Sequence, residues 1–129
     1  MAIKYDGYLM VLFVSDLARS RDFYENALGM KHGHGDDTSD YFEIGPDGLV
    51  LVGPEAADDL LSAADVDHGP GRGARGVLAT TVEDVDAAYE ELRAKGVEFI
   101  RTPEDREWGL RCAHFKDPDG NVWEIHSPA

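Results

Sequence analysis

Val14-Ser-Asp-Leu17 and Val82-Glu-Asp-Val85 carry one pattern twice, 68 residues apart. In each, a β-rich run ends on valine, an acidic residue follows within two positions, and a helical apolar stripe begins. Upstream of the first copy, Tyr8-Leu-Met-Val-Leu-Phe-Val14 is continuously apolar, as a strand covered on both faces requires. Ser15 or Asp16 is the helix cap. Tyr24, Ala27, Leu28 and Met30 then follow a helical period with Gly29 near its end, predicting a helix over 16–28. A strand near 31–33 comes next. Tyr41–Ile44 and Leu49–Val52 flank Gly45-Pro46-Asp47-Gly48, whose residue types suit a hairpin turn.

The second copy repeats the order. Val77–Val82 is a strand, and Glu83-Asp84 starts a helix. Val85, Ala88, Tyr89 and Leu92 lie on one face of that helix, and Gly96 closes it. Strands follow at 97–100, 111–115 and 122–126. Two βαβββ modules result, over about 7–53 and 77–127, joined by a linker at 54–76. Together they make a single α+β domain over 1–129. Residues 54–67 have room for a short helix bearing Leu60 and Leu61. The run from His68 to Gly76 contains four glycines, but no Gly-Lys-Ser/Thr follows it and a strand replaces the helix a phosphate loop needs. It reads as a linker.

The chain is 129 residues long, 43% hydrophobic and 29% charged, a composition that folds. Twelve Lys and Arg stand against 26 Asp and Glu, giving a net charge of −14. Such a surface repels nucleic acid and anionic membranes. No apolar run approaches the roughly 18 residues a membrane span needs. The N-terminal stretch lacks the basic and apolar regions of a secretion signal. Cys112 is the single cysteine, so no internal disulfide forms, and a cytoplasmic location is expected.

The turn Pro118-Asp119-Gly120 fixes the last hairpin. A three-residue loop with left-handed Gly120 pairs Asp117 with Asn121, and therefore His114 with Glu124. Cys112, His114, Val122, Glu124 and His126 should then project from one face. By the same alternation Trp123 faces the helices as core. Tyr24 and Tyr89 sit on helical apolar stripes and are core too.

Three stretches, 14–30, 82–97 and Trp108-Gly-Leu-Arg-Cys-Ala-His-Phe-Lys-Asp-Pro-Asp-Gly-Asn-Val-Trp-Glu124, resemble the glyoxalase/bleomycin-resistance/extradiol-dioxygenase (vicinal oxygen chelate) superfamily over about residues 8–127. The resemblance implies modules whose mixed sheets curl around a cavity with helices outside, and a homodimer. It also implies a divalent metal held by His and Glu on the first and last strands of each module. Those positions map to Leu9, Leu51, Val77 and Glu124, of which only Glu124 is a donor. Three or more O or N donors are needed to offset dehydration of such a cation. No metal and no cofactor are expected at that place; a rearranged set around Glu124, with His114 and His126, stays open.

Without a metal the implied cavity is an apolar receptacle with a few polar groups, the composition of a small-molecule site. Leu9, Val11, Leu49, Leu51 and Val77 supply hydrocarbon at or beside the chelating positions. Tyr41 is placed to stack on a planar ligand, and Trp108 matches an aromatic wall in drug-binding members. Trp108 reads equally as a core or dimer-interface residue. Cys112, His114 and Glu124 complete the ligand-binding set, with Cys112 as an apolar filler. The expected function is metal-independent binding of a hydrophobic or aromatic compound, as in antibiotic-sequestering members of the family. The alternatives are a metal-dependent lyase, isomerase or oxygenase, and a metal-free acid–base enzyme using Glu124 with His114 or His126.

Overall fold

The computed structural model describes residues 9–66 and 77–129; the residues that open the first predicted strand and the glycine-rich linker lie outside that range. The chain divides into two compact units, Met1–Gly69 and Pro70–Ala129.

In the first unit, β1 (Leu9–Phe13) leads to α1 (Leu17–Asp22), followed by β2 (Lys31–Gly35), β3 (Ser39–Ile44), β4 (Asp47–Val52) and α2 (Pro54–Leu60). In the second, β5 (Leu78–Thr81) and α3 (Val85–Ala94) precede β6 (Phe99–Asp105), β7 (Leu110–Lys116) and β8 (Val122–Pro128). The sheet orders are β1-β4-β3-β2 and β5-β8-β7-β6, so the predicted repeat is one topology used twice. In both, the first strand runs parallel to the last and the other pairs are antiparallel. Among the described residues the strands make two four-stranded sheets and no closed barrel.

The duplicated tetrapeptide has one structural job. Asp16 and Asp84 both adopt extended backbone, with φ of −138° and −141°. Each carboxylate accepts a backbone N–H three residues on, from Arg19 and Ala87, at 3.1 Å. That satisfies a donor the first helical turn cannot use. One residue before each pair, Val14 N–H donates to Val52 O and Val82 N–H to His126 O, both at 2.9 Å. Each bond locks the end of the first strand to the last strand of its own sheet.

The helix predicted over 16–28 is not uniform. It is α-helical over Leu17–Asp22 and widens to a π turn over Phe23–Ala27, where Leu28 N–H reaches back to Phe23 O and Met30 N–H to Tyr24 O. Tyr24 is fully buried, edge-on to Phe23 and above Phe42. Asp40 is buried beneath α1, 2.7 Å from His32 Nε2 and 3.3 Å from Arg21 Nε, so one carboxylate ties α1 to β2 and β3.

In the second unit Trp123 stacks on Phe115, and Phe115 and Tyr89 both meet Phe99. Trp123 is core as expected, whereas Tyr89 is half-buried. Arg111 is held by Asp86 and Asp105 at 3.0 Å, which joins α3 to the β6–β7 hairpin. Removing either helix cap, as Asp16→Ala or Asp84→Ala, is expected to lower the unfolding free energy by about 1 kcal/mol. The change should appear as an earlier urea midpoint with an unchanged slope.

Candidate functional site

Alternation along β8 presents Glu124 and His126 on one face, and pairing brings β5 and β7 alongside. His114 lies opposite Glu124, and Cys112 opposite His126. On the other flank Ala79 faces Glu124 and Thr81 faces His126. The register expected from the Pro118-Asp119-Gly120 turn is the one found. Gly120 has φ of 87°, and Asp117 N–H donates to Asn121 O at 2.9 Å.

Four side chains on this face form a linear relay. His114 Nε2 lies 2.9 Å from Glu124 Oε1, and His126 Nδ1 lies 2.7 Å from Glu124 Oε2. His126 Nε2 lies 3.1 Å from Thr81 Oγ1. An ionised carboxylate only accepts, so both rings donate to Glu124. In a neutral His126 ring, Nε2 is then the acceptor for the Thr81 hydroxyl. The assignment follows from the network. The Glu124 side chain is 19% exposed. Burial pushes its carboxyl upward, but the bonds from His126 and His114, with their charge, hold it below the ordinary carboxylate value.

Cys112 on the same face is 1% exposed. Burial first, then the charge of Glu124, push its thiol up against the opposing Arg106. This is the reverse of an activated cysteine.

In the first unit, Leu9 and Val11 share a face with Val50, Tyr41 and His34. Leu9 is 59% and Val11 40% exposed. The Tyr41 ring is seated between two strand glycines: a Cβ at Gly33 would stand 2.7 Å from its Cδ2, and one at Gly48 2.6 Å from its Cε1. His34 stacks beside it at 5.2 Å.

Leu49 and Leu51 correct the expectation. Leu49 pairs with Met10 and Phe42, Leu51 with Leu12 and Asp40. Both are fully buried on the opposite face from Leu9 and Val11, the face on which Tyr24 covers Phe42. Val77, just before β5, is exposed. Trp108 stands at the β6–β7 turn beside Gly109 (φ 86°) and is 68% exposed, so the core alternative for it is excluded.

The two sheets can be superposed residue by residue through the bonds Val14–Val52 and Val82–His126. Phe13 and Val52 then correspond to Thr81 and His126, Val11 and Val50 to Ala79 and Glu124, and Tyr41 to His114. The first-unit counterpart of Glu124 is thus Val50, not Leu51. Leu9, Val50 and Val77 are all hydrocarbon, and both Glu124 oxygens are taken by imidazoles. Among the described residues no three or more His, Cys, Asp or Glu side chains are grouped to hold an ion. The residues present do not fit the divalent metal that the resemblance implies. The sequence reading missed Thr81, whose signal was its place directly before Val82 in the repeat.

Because the folded state lowers the Glu124 pKa, its stabilisation is complete above the ordinary carboxylate value. It is lost as pH falls through the depressed folded value. Glu124→Gln should therefore destabilise the chain near neutrality, and the gap to the parent should close on acidification through that window, measured by urea unfolding across pH. Cys112 should resist alkylation by iodoacetamide while the chain is folded and react promptly in urea.

Comparison with known proteins agrees with this architecture. The model of the Glyoxalase/Bleomycin resistance protein/Dioxygenase superfamily matches residues 7–125. The uncharacterised protein YraH of Bacillus subtilis (strain 168) is 33% identical over 118 residues, 89% of this chain and 92% of that protein. Lactoylglutathione lyase GLX1 of Arabidopsis thaliana is 30% identical over 126 residues, 92% of this chain but 43% of its own length. The crystal structure of a glyoxalase/bleomycin resistance protein/dioxygenase from Nocardioides superposes with a TM-score of 0.84 at 27% identity, covering 98% of this chain and 85% of that one. With the same module built twice and the family model spanning nearly all of it, the chain belongs to the glyoxalase/bleomycin resistance protein/dioxygenase superfamily.

Proposed function

We propose that the chain is a metal-independent small-molecule-binding protein that sequesters a hydrophobic, aromatic compound, in the manner of antibiotic-binding resistance proteins, and acts as a homodimer. The observation that carries this reading is the chemistry at the family's chelating positions. Leu9, Val50 and Val77 offer no donors, and Glu124 is already closed by His114 and His126. A binding role uses what is present instead. Tyr41 is held in place by the close approach of Gly33 and Gly48, so little ordering entropy opposes stacking on a planar ligand. Leu9 and Val11 beside it are apolar and open to contact. The second sheet carries a polar set of its own, Glu124 with His114, His126 and Thr81. The charge of −14 adds a long-range attraction for cationic compounds. Protection by such a protein follows from mass action on the free compound.

Native mass spectrometry of freshly purified, untagged protein tests this directly. A dimer carrying an organic compound, with no stoichiometric metal, is expected. One metal ion per chain that disappears in Glu124→Gln would overturn the reading. With bleomycin as probe, Tyr41→Leu is expected to weaken binding about two- to tenfold, the worth of one aromatic stack. Unchanged affinity would remove Tyr41 from the site.

A further inference from the structure

We infer that Thr81 is an activated hydroxyl which accepts an acyl group from an aryl ester, with His126 as its proton carrier and Glu124 as the residue that positions His126. This goes beyond the binding role. It takes the mismatch with the family's metal as its starting point: the carboxylate left without fellow metal ligands at the other mapped positions is built into a different device. Thr81 Oγ1, His126 Nε2, His126 Nδ1 and Glu124 Oε2 follow one another at 3.1 and 2.7 Å across the ring. The carboxylate fixes the tautomer that leaves Nε2 free to take the hydroxyl proton. A hydroxyl, an imidazole and a carboxylate in this order are the parts of nucleophilic acyl transfer, recognised by geometry and not by chain position. Exposure falls along the relay in the order the chemistry needs. Thr81 is exposed, whereas His126 and Glu124 are partly covered at 21% and 19%. His114 on the second carboxylate oxygen keeps Glu124 from rotating away.

The step balances without any co-reactant beyond water. Thr81 Oγ1 forms a bond to the ester carbonyl carbon while its proton passes to His126 Nε2. The bond from carbonyl carbon to aryl oxygen breaks, and the departing phenolate takes that proton. A water molecule then attacks the Thr81 ester through the same nitrogen, releasing the carboxylic acid and restoring the hydroxyl. The relay supplies a nucleophile and a proton carrier, so it suits esters whose leaving group needs little assistance.

The full-length protein with p-nitrophenyl acetate as probe decides the matter. Release of nitrophenolate above the buffer rate, with one acetyl group mapped by peptide mass spectrometry to Thr81, is expected. Thr81→Val, nearly isosteric, should abolish both signals, while Thr81→Ser restores them. His126→Gln should slow release about 100-fold, the scale of general-base assistance. For Glu124, Glu124→Gln should slow release and change the dependence of the rate on pH, because the His126 tautomer is no longer held by a carboxylate, whereas a merely structural role would lower the rate equally at every pH. Acetylation of Thr81 no faster than that of exposed Thr102, or the parent rate persisting in Thr81→Val, would overturn the assignment.

Discussion

The parallel pairing of first strand with last, closed at its end in each unit by a backbone hydrogen bond from a valine, is the constraint on which everything else rests. Val14 to Val52 and Val82 to His126 set a register, and register in a sheet sets parity: a slip of one residue would exchange every side chain between faces. Through that pairing Glu124 and His126 come to lie beside Ala79 and Thr81, and Leu9 and Val11 beside Gly48 and Val50. The antiparallel hairpins then carry the choice outward to His114 and Tyr41. The site is a consequence of strand order before it is a consequence of residue type.

Local signals in the sequence were enough wherever the determining interaction is local. The caps Asp16 and Asp84 were readable because an acidic residue before an apolar stripe satisfies donors within three positions. The His114–Glu124 pairing was readable because the short turn at Pro118-Asp119-Gly120 admits one register. Parity in β4 was not readable. Leu49, Val50, Leu51 and Val52 are all apolar, so nothing alternates, and their orientation comes from β1, far away in the chain. Thr81 has a local signal in its place before Val82 in the repeat, but the partner that gives it meaning, His126, lies 45 residues on.

Electrostatics and packing divide the work differently in the two units. In the first, a fully buried Asp40 between His32 and Arg21 anchors a helix, and the other face of the sheet carries Leu9, Val11 and Val50 with Tyr41 and His34 stacked beside them. In the second, the helix side is aromatic, with Phe115 and Trp123 stacked, and the partly exposed face holds the titratable groups. Charge thus anchors a helix in each unit, through Asp40 in the first and Arg111 in the second. Burying an ionised group is tolerable only with partners of this quality.

The superposition of Val50 on Glu124 and of Tyr41 on His114 means that the first unit is an unwritten copy of the second. Its backbone already holds the slots in which a carboxylate and an imidazole would meet, filled with valine and tyrosine. Duplicated modules of this kind keep a spare scaffold, on which new chemistry needs changes of side chain alone, with the ladder and its hydrogen bonds left intact.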